Sequence, residues 1–388
     1  MVCTGGEQKL QQIDLDHENY TSDWVKDYVR DQQALLDTLD FNLLIEDKWN
    51  RAYGDPHPDS RFADLKELIT WCRERGHRVI LSWRAWSIEA RSLAVLFDIG
   101  NTETTDATHP NFETYIDSCC HFIFGEGGNR LNADGIKIDN LFDVRHPSNA
   151  RYRDASLGIG ITEAYRYLSI LYKSAKKYNE NCVIIGSAAS PHFNDVQDMV
   201  ALNEDWDNRL RREKRARIIS QSLPGLMIFA DDVDMVSPIA LYHYTTGATY
   251  GVPAISYTTR FMDGEIDRAT RSAINRLFAF ASIKPAGRCD FLDYGHWTVT
   301  AGDGIAAECV GQGKAVIHYQ DKLRGTLVST DNGSITIALN DLALVSVRDP
   351  MGNAIRFRDH GQQIYELLNL KQGIIYDLTF RKNRVVIE

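Results

Sequence analysis

The stretch "NADGIKIDNLF", residues 132–142, decides how the rest of the chain is interpreted. Its apolar run Gly135–Ile138 is interrupted by Lys137 and stops at Asp139. A short apolar run between turn-forming residues predicts a buried strand. Either Lys137 and Asp139 form a structural salt bridge, or the strand carries a carboxylate to a functional site.

On both sides of this stretch, short apolar runs alternate with longer amphipathic segments. Strands are predicted at 41–47, 77–83, 133–139, 182–187, 198–205, 225–232 and 252–259, with an eighth in 2–8. Helices are predicted at 22–39, 61–76, 111–125, 162–178, 209–223 and 269–282, and 236–248 is also helical in pattern. Alternating strands and helices predict parallel βαβ units, and eight units favour a TIM (β/α)8 barrel over residues 1–285. A doubly wound open sheet is the alternative, but no glycine-rich phosphate-binding pattern follows any predicted strand.

The pattern changes after Pro285. Residues 286–388 contain short alternating strands separated by turns such as Asp331-Asn332-Gly333. This arrangement predicts an antiparallel β-sandwich domain.

Composition narrows the class of protein. The chain has 388 residues, 44% hydrophobic, with a formal net charge of −10, which argues against nucleic acid or an anionic membrane as a partner. No apolar run approaches the roughly 20 residues of a membrane span, and the N-terminus lacks the apolar core of a signal peptide.

The seven cysteines are odd in number and form no Cys-x-x-Cys pair. Reduced thiols in a cytoplasmic protein are therefore expected, without metal ligation.

Carboxylates end four of the predicted strands. They are Glu46-Asp47, Asp139, Glu204-Asp205 and Asp231-Asp232. A single acidic residue after a strand is usually a helix cap. Four such strand ends would meet on one face of a barrel, where carboxylates can accept hydrogen bonds from a neutral polyhydroxylated ligand. A divalent metal is the competing explanation, but no further ligands appear with recognisable spacing, and no cofactor is predicted.

Residues 45–86, "IEDKWNRAYGDPHPDSRFADLKELITWCRERGHRVILSWRAW", resemble the second and third barrel units of glycoside hydrolase family 31 and of its relatives in family 36. "DGIKIDNLF" resembles the nucleophile motif of these enzymes, "DMVALNED" their acid/base segment, and "ADDVD" the segment that closes strand seven. The resemblance covers about residues 40–285, and a C-terminal sandwich is also typical.

The resemblance implies a retaining α-glycosidase, similar to α-galactosidases or α-glucosidases, that acts on an oligosaccharide or α-glycoside. It implies Asp139 as nucleophile and Asp205 as general acid/base, with Glu204 as the acid if the register differs by one. Lys137 would keep Asp139 ionised. Substrate contacts are expected from Glu46, Asp47, Trp49, Trp83, Trp86, Arg84, Lys137, Ser187 and Asp232. Each tryptophan could equally serve ordinary packing.

One position departs from the family pattern. The arginine expected four residues before the acid/base is replaced by Ala201. Arg84 or Arg209 could supply the missing contact, or the substrate differs there. Three other functional hypotheses remain open: a transglycosidase, a sugar-binding protein that has lost turnover, or a metal-dependent barrel hydrolase.

Overall fold

The computed structural model describes residues 2–3, 18–35, 41–98, 104–141, 152–202, 209–223, 225–233, 251–255, 260–261, 264–265, 275, 288–293, 296–301, 304–329, 331–339, 341–372 and 374–382. These residues belong to two compact units. The first comprises Met1–Asn203 with Ser222–Phe229, and the second comprises Glu204–Gln221 with Ala230–Glu388.

The first unit is built on a parallel sheet. Its strands are β1 (Val2–Cys3), β2 (Leu43–Ile45), β3 (Val79–Arg84), β4 (Gly135–Asp139), β5 (Val183–Gly186), β6 (Met199–Ala201) and the first three residues of β7 (Met227–Val233). Each strand pairs in parallel with the next one along the chain, from β1 to β7. This sequential order agrees with the predicted βαβ repeat, because each crossover returns the chain beside the strand it has just left.

The described helices connect these strands. They are α1 (Ser22–Leu35), α2 (Leu65–Arg73), α3 (Leu93–Leu96), α4 (Phe112–Phe124), α5 (Ile161–Tyr178) and α6 (Arg209–Ser222). The helix predicted at 61–76 is shorter, because a 3₁₀ turn at Ser60–Phe62, capped by the Asp59 side chain, precedes α2. The helices predicted at 236–248 and 269–282 lie outside the described residues, apart from residue 275. No helix in the described ranges is long and apolar enough to cross a membrane.

Helix α4 shows how an apolar stripe makes the core of this unit. Phe112, Tyr115, Ile116, Cys119 and Ile123 recur at helical spacing, and each is at most 2% exposed. Five described cysteines are buried thiols: Cys72, Cys119, Cys120, Cys182 and Cys309. Burial raises the pKa of Cys72 to about 12 and that of Cys182 to about 11, so these thiols pack as small apolar groups.

The second unit contains antiparallel sheets, as predicted for the C-terminal region. A two-stranded antiparallel sheet is formed by β9 (Arg260–Phe261) and β10 (Gly264–Glu265), and the strand β8 (Gly251–Ile255), which belongs to none of the antiparallel sheets, precedes it. The larger sheet has seven strands: β11 (Arg288–Asp293), β12 (His296–Ala301), β13 (Gly304–Val310), β14 (Ala315–Tyr319), β15 (Arg324–Ser329), β20 (Ile375–Lys382) and β17 (Leu342–Arg348). The smaller sheet has β16 (Gly333–Ala338), β19 (Ile364–Leu370) and β18 (Phe357–Asp359).

Alternating residues of both sheets form one apolar core. Ile317 and Leu327 of the larger sheet belong to the same buried cluster as Ile335, Ile337 and Leu367 of the smaller sheet. Because the outward positions of β16 are exposed while Ile335 and Ile337 are buried, the strand has the pattern of a half-buried sheet. The two sheets therefore pack against each other through these side chains.

Glu308 of β13 is a buried carboxyl group whose titration should affect stability. Burial raises the pKa of Glu308, against the smaller opposing effect of a hydrogen bond from the Tyr319 hydroxyl. A raised pKa in the folded protein means that the contribution of Glu308 to stability is full below its ordinary pKa and is lost as pH rises through the raised value.

We expect Glu308→Gln to stabilise the protein at pH 7 by about 1 kcal/mol and to have little effect at pH 4, because glutamine accepts the same hydrogen bond without a charge. Urea unfolding at both pH values measures this difference. Glu180→Gln, at an exposed position after α5, should change stability little at either pH. A destabilised Glu308→Gln variant at pH 7 would contradict the expectation.

Candidate active site

Polar side chains meet at the carboxyl ends of β2, β3 and β4. The register pairs Ser82 with Lys137 and Arg84 with Asp139. Residues two apart on a strand point to the same face, so these four side chains share one face of the sheet. Glu46 and Asp47 follow β2 directly, at the same edge.

Lys137 lies between two carboxylates. Its Nζ is 3.2 Å from Asp139 Oδ1 and 3.5 Å from Glu46 Oε1. The Lys137 side chain is 9% exposed, while that of Asp139 remains 27% exposed. The cation is therefore shielded from solvent, and the Asp139 carboxylate faces an accessible space.

Ser82 connects two of the carboxylates. Its Oγ is 2.7 Å from Asp139 Oδ2 and 3.2 Å from Asp47 Oδ1. A serine hydroxyl has one proton, so it donates chiefly to one carboxylate at a time, and the shorter distance favours Asp139. Lys137 and Ser82 thus hold the two oxygens of Asp139 from different sides.

Arg84 neutralises Asp47 at the same edge. Its Nε donates to Asp47 Oδ2 at 2.6 Å, and the Tyr53 hydroxyl lies 3.4 Å from the same oxygen. Burial alone would lower the pKa of Arg84, but the charge of Asp47 and the hydrogen bond to it raise that pKa. Burial, followed by the Asp47 charge, also raises the pKa of Tyr53, so its hydroxyl remains a donor.

Ser82 and Tyr53 were not predicted from the sequence. Ser82 carried a usable signal, since it is a polar residue inside the apolar strand β3 and two residues before Arg84. No sequence pattern indicated Tyr53, because it lies in a loop and meets Arg84 only in the folded chain. The Arg84 Cζ lies 4.6 Å from the centroid of the Tyr53 ring. Two cations, Lys137 and Arg84, accompany the carboxylates at this edge.

The three tryptophans that were predicted to contact the substrate are buried in the structure. Trp83 is on the opposite face of β3 from Ser82, and its Nε1 donates to the buried Tyr167 hydroxyl at 3.1 Å. Trp49 is fully buried and donates to the Ser82 carbonyl at 2.7 Å. Trp86 is 4% exposed and donates to the Leu141 carbonyl. These rings pack in the core, which was the alternative role considered for them.

The other predicted residues are distributed as follows. Ser187 follows β5 directly and is 7% exposed, and Asp232 lies within β7. Ala201, at the position of the missing arginine, ends β6 and is 3% exposed. Glu204 and Asp205 lie outside the described residues. Arg209 is the first residue of α6.

Within the described part of the chain, no group of three or more His, Cys, Asp or Glu residues is placed to hold a metal ion.

Neither a known protein family nor a curated protein matches this sequence. Solved structures do match its fold. A glycoside hydrolase family 27 β-L-arabinopyranosidase from Geobacillus stearothermophilus, in complex with arabinose, is 12% identical with a TM-score of 0.61, covering 93% of this chain and 94% of its own. An Anoxybacillus α-amylase is 11% identical with a TM-score of 0.57, covering 98% and 96%.

A third similar structure is a Bacillus halodurans protein assigned as an α-N-acetylgalactosaminidase. It is 11% identical with a TM-score of 0.58, and the match covers 95% of both chains. At these identities the likeness concerns the fold. The chain therefore shares its fold, a sequential parallel sheet followed by antiparallel sheets, with these structures.

Proposed function

We propose that this protein is a retaining glycoside hydrolase that cleaves a terminal α-linked sugar. The observation that carries the proposal is the Asp139 carboxylate at the end of β4, held by Lys137 at 3.2 Å and by Ser82 at 2.7 Å while 27% of its side chain stays exposed. Fold similarity to an arabinopyranosidase and to amylases supports the same class of reaction.

The proposed fold is the complete (β/α)8 barrel over residues 1–285, with residues 286–388 as the sandwich domain. The finer relationship to families 31 and 36 is also part of the proposal and rests on the motifs around Asp47, Lys137 and Asp139. Substrate hydroxyls would be bound by Glu46, Asp47, Arg84, Lys137, Ser187 and Asp232. Arg84 would take the role of the arginine absent at Ala201, because it brings a guanidinium group to the same carboxyl edge.

The reaction is a double displacement. Asp139 attacks the anomeric carbon and forms a glycosyl ester, while the bond to the leaving oxygen breaks and Asp205 gives that oxygen its proton. Water then attacks the anomeric carbon, Asp205 takes the proton of the water, and the ester bond breaks. Retaining enzymes in general hold their two carboxyl groups about 5–5.5 Å apart.

The first test is turnover of a panel of nitrophenyl α-glycosides, including the galactoside and the glucoside. Proton NMR of the first product formed should show the α-anomer. Initial release of the β-anomer would contradict a retaining mechanism. Sugar binding without turnover would instead favour a sugar-binding protein that has lost turnover, and loss of activity with a chelator would favour a metal-dependent hydrolase.

A second test concerns the acid/base residue. We expect Asp205→Asn to slow substrates with poor leaving groups most, because these need the proton. Azide should partly restore turnover of this variant, since it attacks the glycosyl ester without base assistance. The glycosyl azide should keep the anomeric configuration of the substrate. An inverted azide from the Asp205 variant would show that the two carboxylates have been assigned the wrong roles.

A further inference from the structure

A groove on the first unit is lined by residues other than those of the candidate active site. It has a volume of about 320 Å³, within the range of small-molecule sites. Its lining residues are Pro56, His57, Leu93, Phe97, Ser118, His121, Phe122 and Arg130. None of the residues in the network around Asp139 lines it.

The lining comes from several parts of the first unit. Ser118, His121 and Phe122 belong to the second half of α4, and Arg130 lies between α4 and β4. The other four lining residues lie in the connections that follow β2 and β3. The groove is therefore distinguished from the candidate active site by its residues.

The lining combines apolar surface with cationic groups. Leu93, Phe97 and Phe122 supply apolar side chains, Arg130 supplies a permanent positive charge, and His57 and His121 supply imidazoles. No aspartate or glutamate is among the lining residues. A lining with a permanent cation and no carboxylate favours an anionic ligand over a cationic one.

His57 is held in place by a buried carboxylate. Asp55 is fully buried, and its Oδ1 accepts from His57 Nδ1 at 2.7 Å and from the His57 backbone N–H at 2.9 Å. Its Oδ2 accepts from Arg51 Nε and Nη2 and from the Leu93 backbone N–H. This bonding commits Nδ1 as a donor, so Nε2 of the neutral ring is an acceptor.

His57 also contacts an apolar part of the groove, since its ring centroid is 4.4 Å from that of Phe122. Arg130 Nη1 donates a hydrogen bond to the Glu126 carbonyl at 3.0 Å. We propose that this groove is a second ligand site, which binds a small organic anion with an aromatic body. The anionic group would accept hydrogen bonds from Arg130, and the ring of the ligand would pack against Phe97 and Phe122.

Benzoate is the probe for this proposal, and benzamide is its neutral counterpart of the same shape. We expect saturation-transfer NMR to detect benzoate on the full chain at millimolar concentration, with benzamide at least about tenfold weaker, because charge-assisted hydrogen bonds are the stronger ones. Arg130→Gln should raise the benzoate Kd about tenfold or more, with circular dichroism used to verify its folding.

Arg75→Gln is the matched control. Arg75 Nη1 donates to the Trp71 carbonyl, four residues earlier, at 3.0 Å, as Arg130 does to the Glu126 carbonyl. The control should leave the Kd unchanged, and so should Asp139→Asn. The proposal is overturned if benzoate does not bind, if benzamide binds equally well, if both arginine variants weaken binding alike, or if Asp139→Asn abolishes it.

Discussion

Asp139→Asn is expected to reduce turnover of the best nitrophenyl α-glycoside by on the order of 10⁴-fold or more, the scale seen when a catalytic nucleophile is removed. An amide cannot form the glycosyl ester, so the first displacement stops. The fold should persist, because asparagine can still accept the hydrogen bond from Ser82, which lies 2.7 Å from Asp139 Oδ2. Steady-state kinetics and circular dichroism measure the two effects separately.

Asp27→Asn provides the control for this substitution. Asp27 is exposed on α1, where it pairs with Arg30, so the same change of side chain should leave turnover intact. Azide adds a further distinction, since attack from the side vacated by the carboxylate would give a glycosyl azide of inverted configuration. If the Asp139 variant kept substantial activity, Asp139 would not be the nucleophile, and the proposed mechanism would fail.

Lys137→Met is expected to have the second largest effect. It removes the cation that lies 3.2 Å from Asp139 and 3.5 Å from Glu46, and leaves these carboxylates near one another without it. We expect kcat to fall on the order of 10²- to 10³-fold, as when a charge-stabilising donor is lost from an active site. Stability should fall on the order of 2 kcal/mol, less than for a fully buried pair, because Asp139 is 27% exposed.

Urea unfolding and steady-state kinetics test both parts of this expectation. Lys173→Met, at an exposed position on α5, is the control and should change neither quantity. Lys137→Arg should retain more activity than Lys137→Met, because the charge is kept although its geometry changes. A Lys137→Met variant with normal kcat and reduced stability would show that the lysine is only a structural ion-pair partner.

The parallel strands and the placement of Lys137 beside Asp139 follow from local patterns. Apolar runs alternating with amphipathic segments predict parallel strands joined by crossovers, whereas the sequential order of β1 to β7, which a doubly wound sheet does not have, was established by the structure. Lys137 and Asp139 are two residues apart on one strand, and side chains with that spacing point the same way. The same alternation also separates Trp83 from Ser82 and Arg84, and it would have excluded Trp83 from the site.

Contacts between side chains of different strands could not be predicted from local sequence patterns. The relative register of β2, β3 and β4 decides two sets of contacts. Ser82 bridges Asp47 and Asp139, and Arg84 pairs with Asp47. The burial of Trp49 depends equally on its bond to the Ser82 carbonyl. By itself, the sequence determined which residues each strand delivers to its end and to which face. Only the tertiary structure decided which carboxylate meets which cation, because register is set by packing among residues far apart in the chain.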